Sequence, residues 1–392
     1  MNIKFFQDHL ENDLIPFWNR MRDDKNGGFY GAADASGMPD PSSVKGVILN
    51  SRILWFYSSA YLLLKKPELL AMADHAFDFL AEYCLDSRYG GVYWSVNADG
   101  SVCDDTKHTY CQAFAVYALS AYYRASGRKR ALDLAYELFR TIEEKCRDDG
   151  GYLEAFNRDL TPAANEKLSE NGVLASRTMN TLLHIMEAYT ELYAADRFSK
   201  VGGALRETLR LFKSKIYDPE KKICLVFFDH EYHSLIDLES YGHDIEASWL
   251  VDRACEVLGD GSCREEMLPV IDGLAEAALE NGFDERQSGL NNEREGDKID
   301  RKKVWWVQAE SVTGFYNMYS EDKSRTEFLE TSEKILDFIN ESVIDHNSGE
   351  WIENISADGN TDKHQALVHP WKCPYHNGRM CIEMITRLSK GA

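Results

Sequence analysis

Apolar residues recur at three- and four-residue steps through twelve segments of the chain, and the segments alternate between two kinds. One kind, at roughly 3–22, 68–84, 129–146, 200–216, 263–281 and 325–343, sets a single apolar stripe among charged residues. In 129–146 the stripe is Leu132, Leu134, Ala135, Leu138, Phe139 and Ile142. That spacing predicts half-exposed amphipathic helices. The other kind, at roughly 46–64, 108–126, 174–195, 242–258, 303–319 and 375–389, is richer in aromatic and small residues and poorer in charge, as in Thr109-Tyr-Cys-Gln-Ala-Phe-Ala-Val-Tyr-Ala-Leu119. These read as buried helices.

A recurring turn punctuates the helices. Asp23-Asp-Lys-Asn-Gly-Gly-Phe-Tyr30 is echoed by Asp86-Ser-Arg-Tyr-Gly-Gly-Val-Tyr93 and by Asp148-Asp-Gly-Gly-Tyr152. Fainter copies start at Asp218, where the glycines are lost, at Asp284, and at Asp345-His-Asn-Ser-Gly-Glu-Trp351. A fixed period of this kind marks stacked supersecondary units. Each copy resembles a glycine turn opening a short β segment, because glycine takes positive φ without steric cost. Six half-exposed helices alternating with six buried ones predict an all-α fold, an (α/α)6 barrel with an inner ring sheathed by an outer one and short β segments in the rim loops. No linker or low-complexity stretch interrupts residues 1–392, so one catalytic domain is expected.

Composition narrows the function. With 44% hydrophobic and 28% charged residues the chain is globular, with material for a core. A net charge of −21 repels phosphate backbones and anionic lipid, so neither nucleic acid nor membrane is an expected partner. No apolar run approaches the ~18 residues of a membrane span, and the N-terminus has no apolar signal core. Nine cysteines without a CxxC pair read as reduced thiols of a cytoplasmic protein.

Each buried helix opens on a polar or aromatic cluster: Ser51 and Arg52; His108, Tyr110 and Gln112; Asn180 and His184; His243, Glu246 and Trp249; Trp305, Trp306, Gln308 and Glu310; Trp371, Tyr375, His376, Asn377 and Arg379. Burying so many polar groups without partners is costly. In a closed ring the six clusters meet at one end of the axis as a single site. Asn180 and His184 share a helix face, as do His243 and Glu246, so Glu246 can fix the tautomer of an imidazole. Arg52 supplies a permanent positive charge for an oxyanion. Imidazoles that accept and return a proton near neutral pH, a cation and no metal-ligand spacing suit proton abstraction α to a carbonyl. An opened aldose is such a carbonyl, with an acidified proton on C2. Trp306 and Trp371 offer planes for sugar rings.

The motifs Ser51-Arg-Ile-Leu-Trp-Phe56, Tyr241-Gly-His-Asp-Ile-Glu-Ala-Ser-Trp249, Val304-Trp-Trp-Val-Gln-Ala-Glu310 and Trp371-Lys-Cys-Pro-Tyr-His-Asn-Gly-Arg379 resemble those of the cellobiose 2-epimerases, within the wider N-acylglucosamine 2-epimerase group. The resemblance implies C2 epimerisation at the reducing-end glucose of cellobiose, lactose and similar β-1,4 disaccharides. It implies His376 as the acid or base at C2 and His243 as its partner, assisted by Glu246. Arg52, Asn180 and His184 would hold the ring-opened sugar, and Tyr110, Trp306 and Trp371 would pack on it. Trp249, Trp305, Glu310 and Arg379 complete the expected substrate-binding set. No cofactor and no metal are expected, and the chain is expected to be a monomer whose partner is a small disaccharide. Two rival chemistries use the same residues: a monosaccharide epimerase or aldose–ketose isomerase, and a glycoside hydrolase with Glu246 and Glu310 as its carboxylate pair.

Overall fold

The computed structural model describes residues 1–167, 171–362 and 364–390. Its helices are α1 (Ile3–His9), α2 (Ile15–Arg20), α3 (Val47–Leu64), α4 (Pro67–Phe79), α5 (Thr109–Ser126), α6 (Lys129–Lys145), α7 (Met179–Asp196), α8 (Ser199–Leu211), α9 (Tyr241–Leu258), α10 (Gly261–Ala277), α11 (Trp305–Glu321), α12 (Thr326–Phe338) and α13 (His376–Lys390). Helices α3, α5, α7, α9, α11 and α13 pack each on the next, and α13 returns to α3, so the inner ring is closed. The amphipathic helices sheathe it, with α4 on α3, α6 on α5, α8 on α7, α10 on α9, α12 on α11, and α1 on α13. This is the (α/α)6 barrel that the alternation predicts.

Inner helices are apolar all round because both faces are covered. Thirteen of the eighteen residues of α3 are buried, including Ser51 and Arg52. The same helix corrects an expectation: Val47–Leu64, with mean hydropathy 1.3, is long and apolar enough to cross a membrane. Its burial inside the ring accounts for that composition. A second correction concerns the third inner helix, expected from 174. It starts at Met179, because Arg177–Thr178 is a strand paired with Phe227–Phe228 and the Thr178 side chain caps the helix by accepting from the Thr181 N–H.

Each outer helix runs into a short antiparallel hairpin, closed by Arg22 with Phe29, Leu85 with Val92, Arg147 with Tyr152, Asp218 with Ile223, Asp284 with Gly289, and Ile344 with Trp351. These are the six repeated turns. Gly28 shows why glycine recurs: its φ is +66° and a Cβ there would lie 2.6 Å from the Phe79 ring. Where the glycines are lost, Lys222 takes the left-handed conformation itself, at φ 57°. Beyond the hairpins, the strand before each inner helix pairs with the following unit: Lys45–Gly46 with Ser95–Val96, Lys107–His108 with Ala155–Phe156, and Lys303–Val304 with Asn354–Ile355. A bridge from Val368 to Ala33 closes this rim as α13 and α3 close the ring.

Candidate active site

All six inner helices start at the rim end, and their opening polar residues fall into two groups. The first holds the rim together. Gln112 accepts from the Val92 N–H at 2.7 Å and donates to the Val92 carbonyl at 2.9 Å; Gln308 does the same for Leu290, both at 2.8 Å. The cation just before the helix pins the aspartate that opens the turn: Lys45 on Asp23 at 2.7 Å, Lys107 on Asp86 at 3.2 Å, Lys303 on Asp284 at 3.1 Å, and Arg177 on Asp148 at 2.7 Å. The repeated Asp is therefore structural.

The second group faces the axis. Arg52 donates to the Tyr110 hydroxyl at 2.8 Å and lies over the Phe114 and Tyr375 rings at 4.2 and 4.6 Å. The His184 ring packs on Tyr110 and Phe114, with Nδ1 2.9 Å from Glu187 Oε2. His376 Nδ1 is 2.7 Å from Glu310 Oε1, and His243 Nδ1 is 2.7 Å from Ser240 Oγ. Trp306 touches both of the latter histidines, at 4.7 Å from the His243 ring and 5.4 Å from that of His376. At the mouth Trp371 is 36% exposed, edge-on to Trp94 and tilted against Tyr110. Arg52 Nε and Asn180 Oδ1 are buried without a hydrogen-bond partner among the described residues.

Arg379 is the hub beneath. It pairs with Glu187 and Glu246, and its Nη2 is 2.7 Å from Glu310. Burial works against its charge, but Glu310, Tyr375, Glu187 and Glu246 outweigh burial and hold the guanidinium well above its ordinary pKa. The carboxylates respond differently. Burial would raise Glu187, yet Arg379 and His184 bring it down to about 2. At Glu310 burial prevails over Arg379 and the pKa rises. Loss of hydration lowers His243 to about 4, against the pull of Glu246. It also lowers His376 well below the usual imidazole range, with Glu246 opposing and Arg379 and Arg52 reinforcing.

The structure thus brings together Arg52, Tyr110, Asn180, His184, His243, Glu246, Trp306, Trp371 and His376. Four of the expected substrate contacts lie beneath that set, each held by protein groups. Trp249 is buried, donates to Glu310 at 3.0 Å and lies against Arg379. Trp305 is buried edge-on to His376 and Trp351. Both oxygens of Glu310, and both terminal nitrogens of Arg379, are engaged by protein groups. All four support the histidines from below. Glu246 and Glu310 share one guanidinium through their Oε1 atoms. These contacts bear on metal binding: Glu246, Glu310 and His376 converge as a metal site would, but Arg379 occupies that position.

Glu187, Ser240 and Trp94 belong to the site and were not expected there. Glu187 lies at i+3 from His184, which was the available signal; Trp94 comes from a rim loop that only the fold brings to the mouth.

The family model for N-acylglucosamine 2-epimerase (GlcNAc 2-epimerase) matches residues 28–377. The chain is 48% identical to the cellobiose 2-epimerase of Ruminococcus albus over 99% of both chains, and 41% identical to that of Dictyoglomus turgidum over 97% of both. Among solved structures, that of cellobiose 2-epimerase from Bacillus thermoamylovorans superposes with a TM-score of 0.93 at 42% identity, covering 98% of this chain and 99% of the other. With its ring of motifs converging on one axial cluster, the chain belongs to the N-acylglucosamine 2-epimerase family and is an isomerase that epimerises sugars.

Proposed function

We propose that this chain inverts C2 of the reducing-end glucose of a β-1,4-linked disaccharide such as cellobiose or lactose, giving the mannose epimer. One observation carries the reading. His243 and His376 both contact Trp306, and each has its Nδ1 engaged, by Ser240 and Glu310, which leaves two Nε2 atoms beside Trp306 without a partner among the described residues. After ring opening, in which His243 is assisted by Glu246, one imidazole removes the C2 proton. Arg52 and His184 hold the enediolate oxygen, the C2 carbon turns, and the other imidazole returns a proton to the opposite face. Trp371 at the mouth, with Tyr110 beside it, is placed for the second sugar, whose binding energy positions the reacting carbon. Relatives named cellobiose 2-epimerase at 48% and 41% identity support the substrate class.

The reading requires no metal or organic cofactor, and full activity after exhaustive chelation and dialysis is its expected outcome. It treats the chain as a monomer acting on a neutral sugar, without nucleic acid or membrane. Nine free cysteines favour a reducing, cytoplasmic setting. The test is incubation with cellobiose in deuterated water, followed by sugar chromatography and mass spectrometry. A new disaccharide with deuterium at C2 is expected, and free glucose should be turned over far less well. Release of two hexoses, or equal use of glucose and cellobiose, would overturn it.

A further inference from the structure

The two imidazole–carboxylate pairs of the site are built alike and tuned apart. His376 leans through Nδ1 on Glu310, and His184 leans through Nδ1 on Glu187. Glu310 is drawn toward its neutral form by burial and Glu187 is held anionic by Arg379 and His184. Environments that separate the titration of matched groups separate their roles. Arg379 does not use up the charge of Glu187, because Glu246 and Glu310 share the same guanidinium. The Glu187 carboxylate is 5% exposed and its remaining contacts are the Tyr375 hydroxyl, at 2.6 Å, and the wall of a cavity of about 320 Å³ at the opposite end of the ring. Its contact within the axial cluster is His184 Nδ1.

We propose that Glu187 is a positioning residue for the epimerisation: it holds His184 as the Nδ1–H tautomer, with Nε2 toward the sugar, and supplies the counter-charge that lets His184 donate to the enediolate oxygen as a cation. The inference rests on the proposed role of His184 in holding that oxygen. An imidazole's tautomer is set by what its other nitrogen bonds. An anionic oxygen at 2.9 Å accepts from Nδ1–H and so keeps the proton on that nitrogen. The rings packed on His184 are Tyr110 and Phe114 of α5 and Tyr375 just before α13, and His243 and His376 are the other imidazoles near enough to feel its charge.

The test compares Glu187→Gln and His184→Asn with the unmodified protein on cellobiose. Removing the Glu187 charge should lower kcat and kcat/KM together with KM little changed, as loss of an interaction made only in the transition state does. The ¹⁵N-histidine NMR spectrum of the unmodified resting protein should show His184 protonated at Nδ1, a readout that does not depend on whether the variant folds. An unchanged kcat in Glu187→Gln, or an Nε2–H tautomer for His184, overturns the inference while His184→Asn remains impaired. If His184→Asn is fully active, the underlying role of His184 fails as well.

Discussion

His243 and His376 illustrate how a residue's position along a helix can reveal its chemistry. Both sit where a buried helix begins, a place with no structural need for imidazole, and both reach the axis beside Trp306. Changing either to Ala should lower epimerisation on the order of 10²–10⁴-fold with an unchanged far-ultraviolet circular dichroism spectrum; a His376→Ala protein at full rate would remove it from the reaction. A pH dependence follows from burial. The accepting imidazole must be neutral, and loss of hydration lowers His243 to about 4. Its basicity therefore survives as pH falls through the usual imidazole range and is lost only on approach to about 4. The acid limb of kcat/KM, which reports the free enzyme, should be nearly flat from neutral pH to well below 6, whereas a midpoint near 6.5 would contradict the burial argument. The axial positions of Arg52, His184, His243 and Trp306 were legible because helix phase and residue type agree at each. The depth of Trp249, Trp305, Glu310 and Arg379 was not, because a motif shows which residues share a site but not which of them lie beneath it.

At the scale of elements, the alternation of amphipathic and apolar helices was enough to recover the ring, since solvent lies on one side of the outer helices and on no side of the inner ones. The wide π turns that close four outer helices, such as Leu80–Cys84 and Phe212–Ile216, and the one between α1 and α2, were not legible. Apolar residues four apart look the same whether the turn is α or π. The aspartate of the repeated turn was visible, but its partner was not, because Lys107 meets Asp86 only after the strand between them folds back. The helix-opening glutamines are likewise scaffold. Gln112→Ala leaves both backbone groups of Val92 unsatisfied in a buried setting and should cost about 1–3 kcal/mol of stability. Denaturant midpoints would measure that loss, with kcat on cellobiose falling far less than in the histidine variants.

The whole molecule is a ring whose first and last helices are neighbours. Inner helices α3, α5, α7 and α9 pass to the next outer helix through two residues at the end away from the rim, and α13 and α1 meet as another such pair without the link. A permuted chain in which a short Gly/Ser segment joins α13 to α1, with new termini at Gly127–Arg128, should keep the fold and epimerise cellobiose at a comparable rate; a chain that stays unfolded would show that the seam differs from the other five. The order in which the ring is made also matters. Ribosomes produce α7, α9 and α11 before α13, so Glu187, Glu246 and Glu310 exist as three acids before Arg379 emerges to neutralise them. Until Arg379 emerges, Glu187 and Glu246 lack the guanidinium they share in the finished ring, so a chain ending before α13 should fail to close, which limited proteolysis of the truncated chain would show.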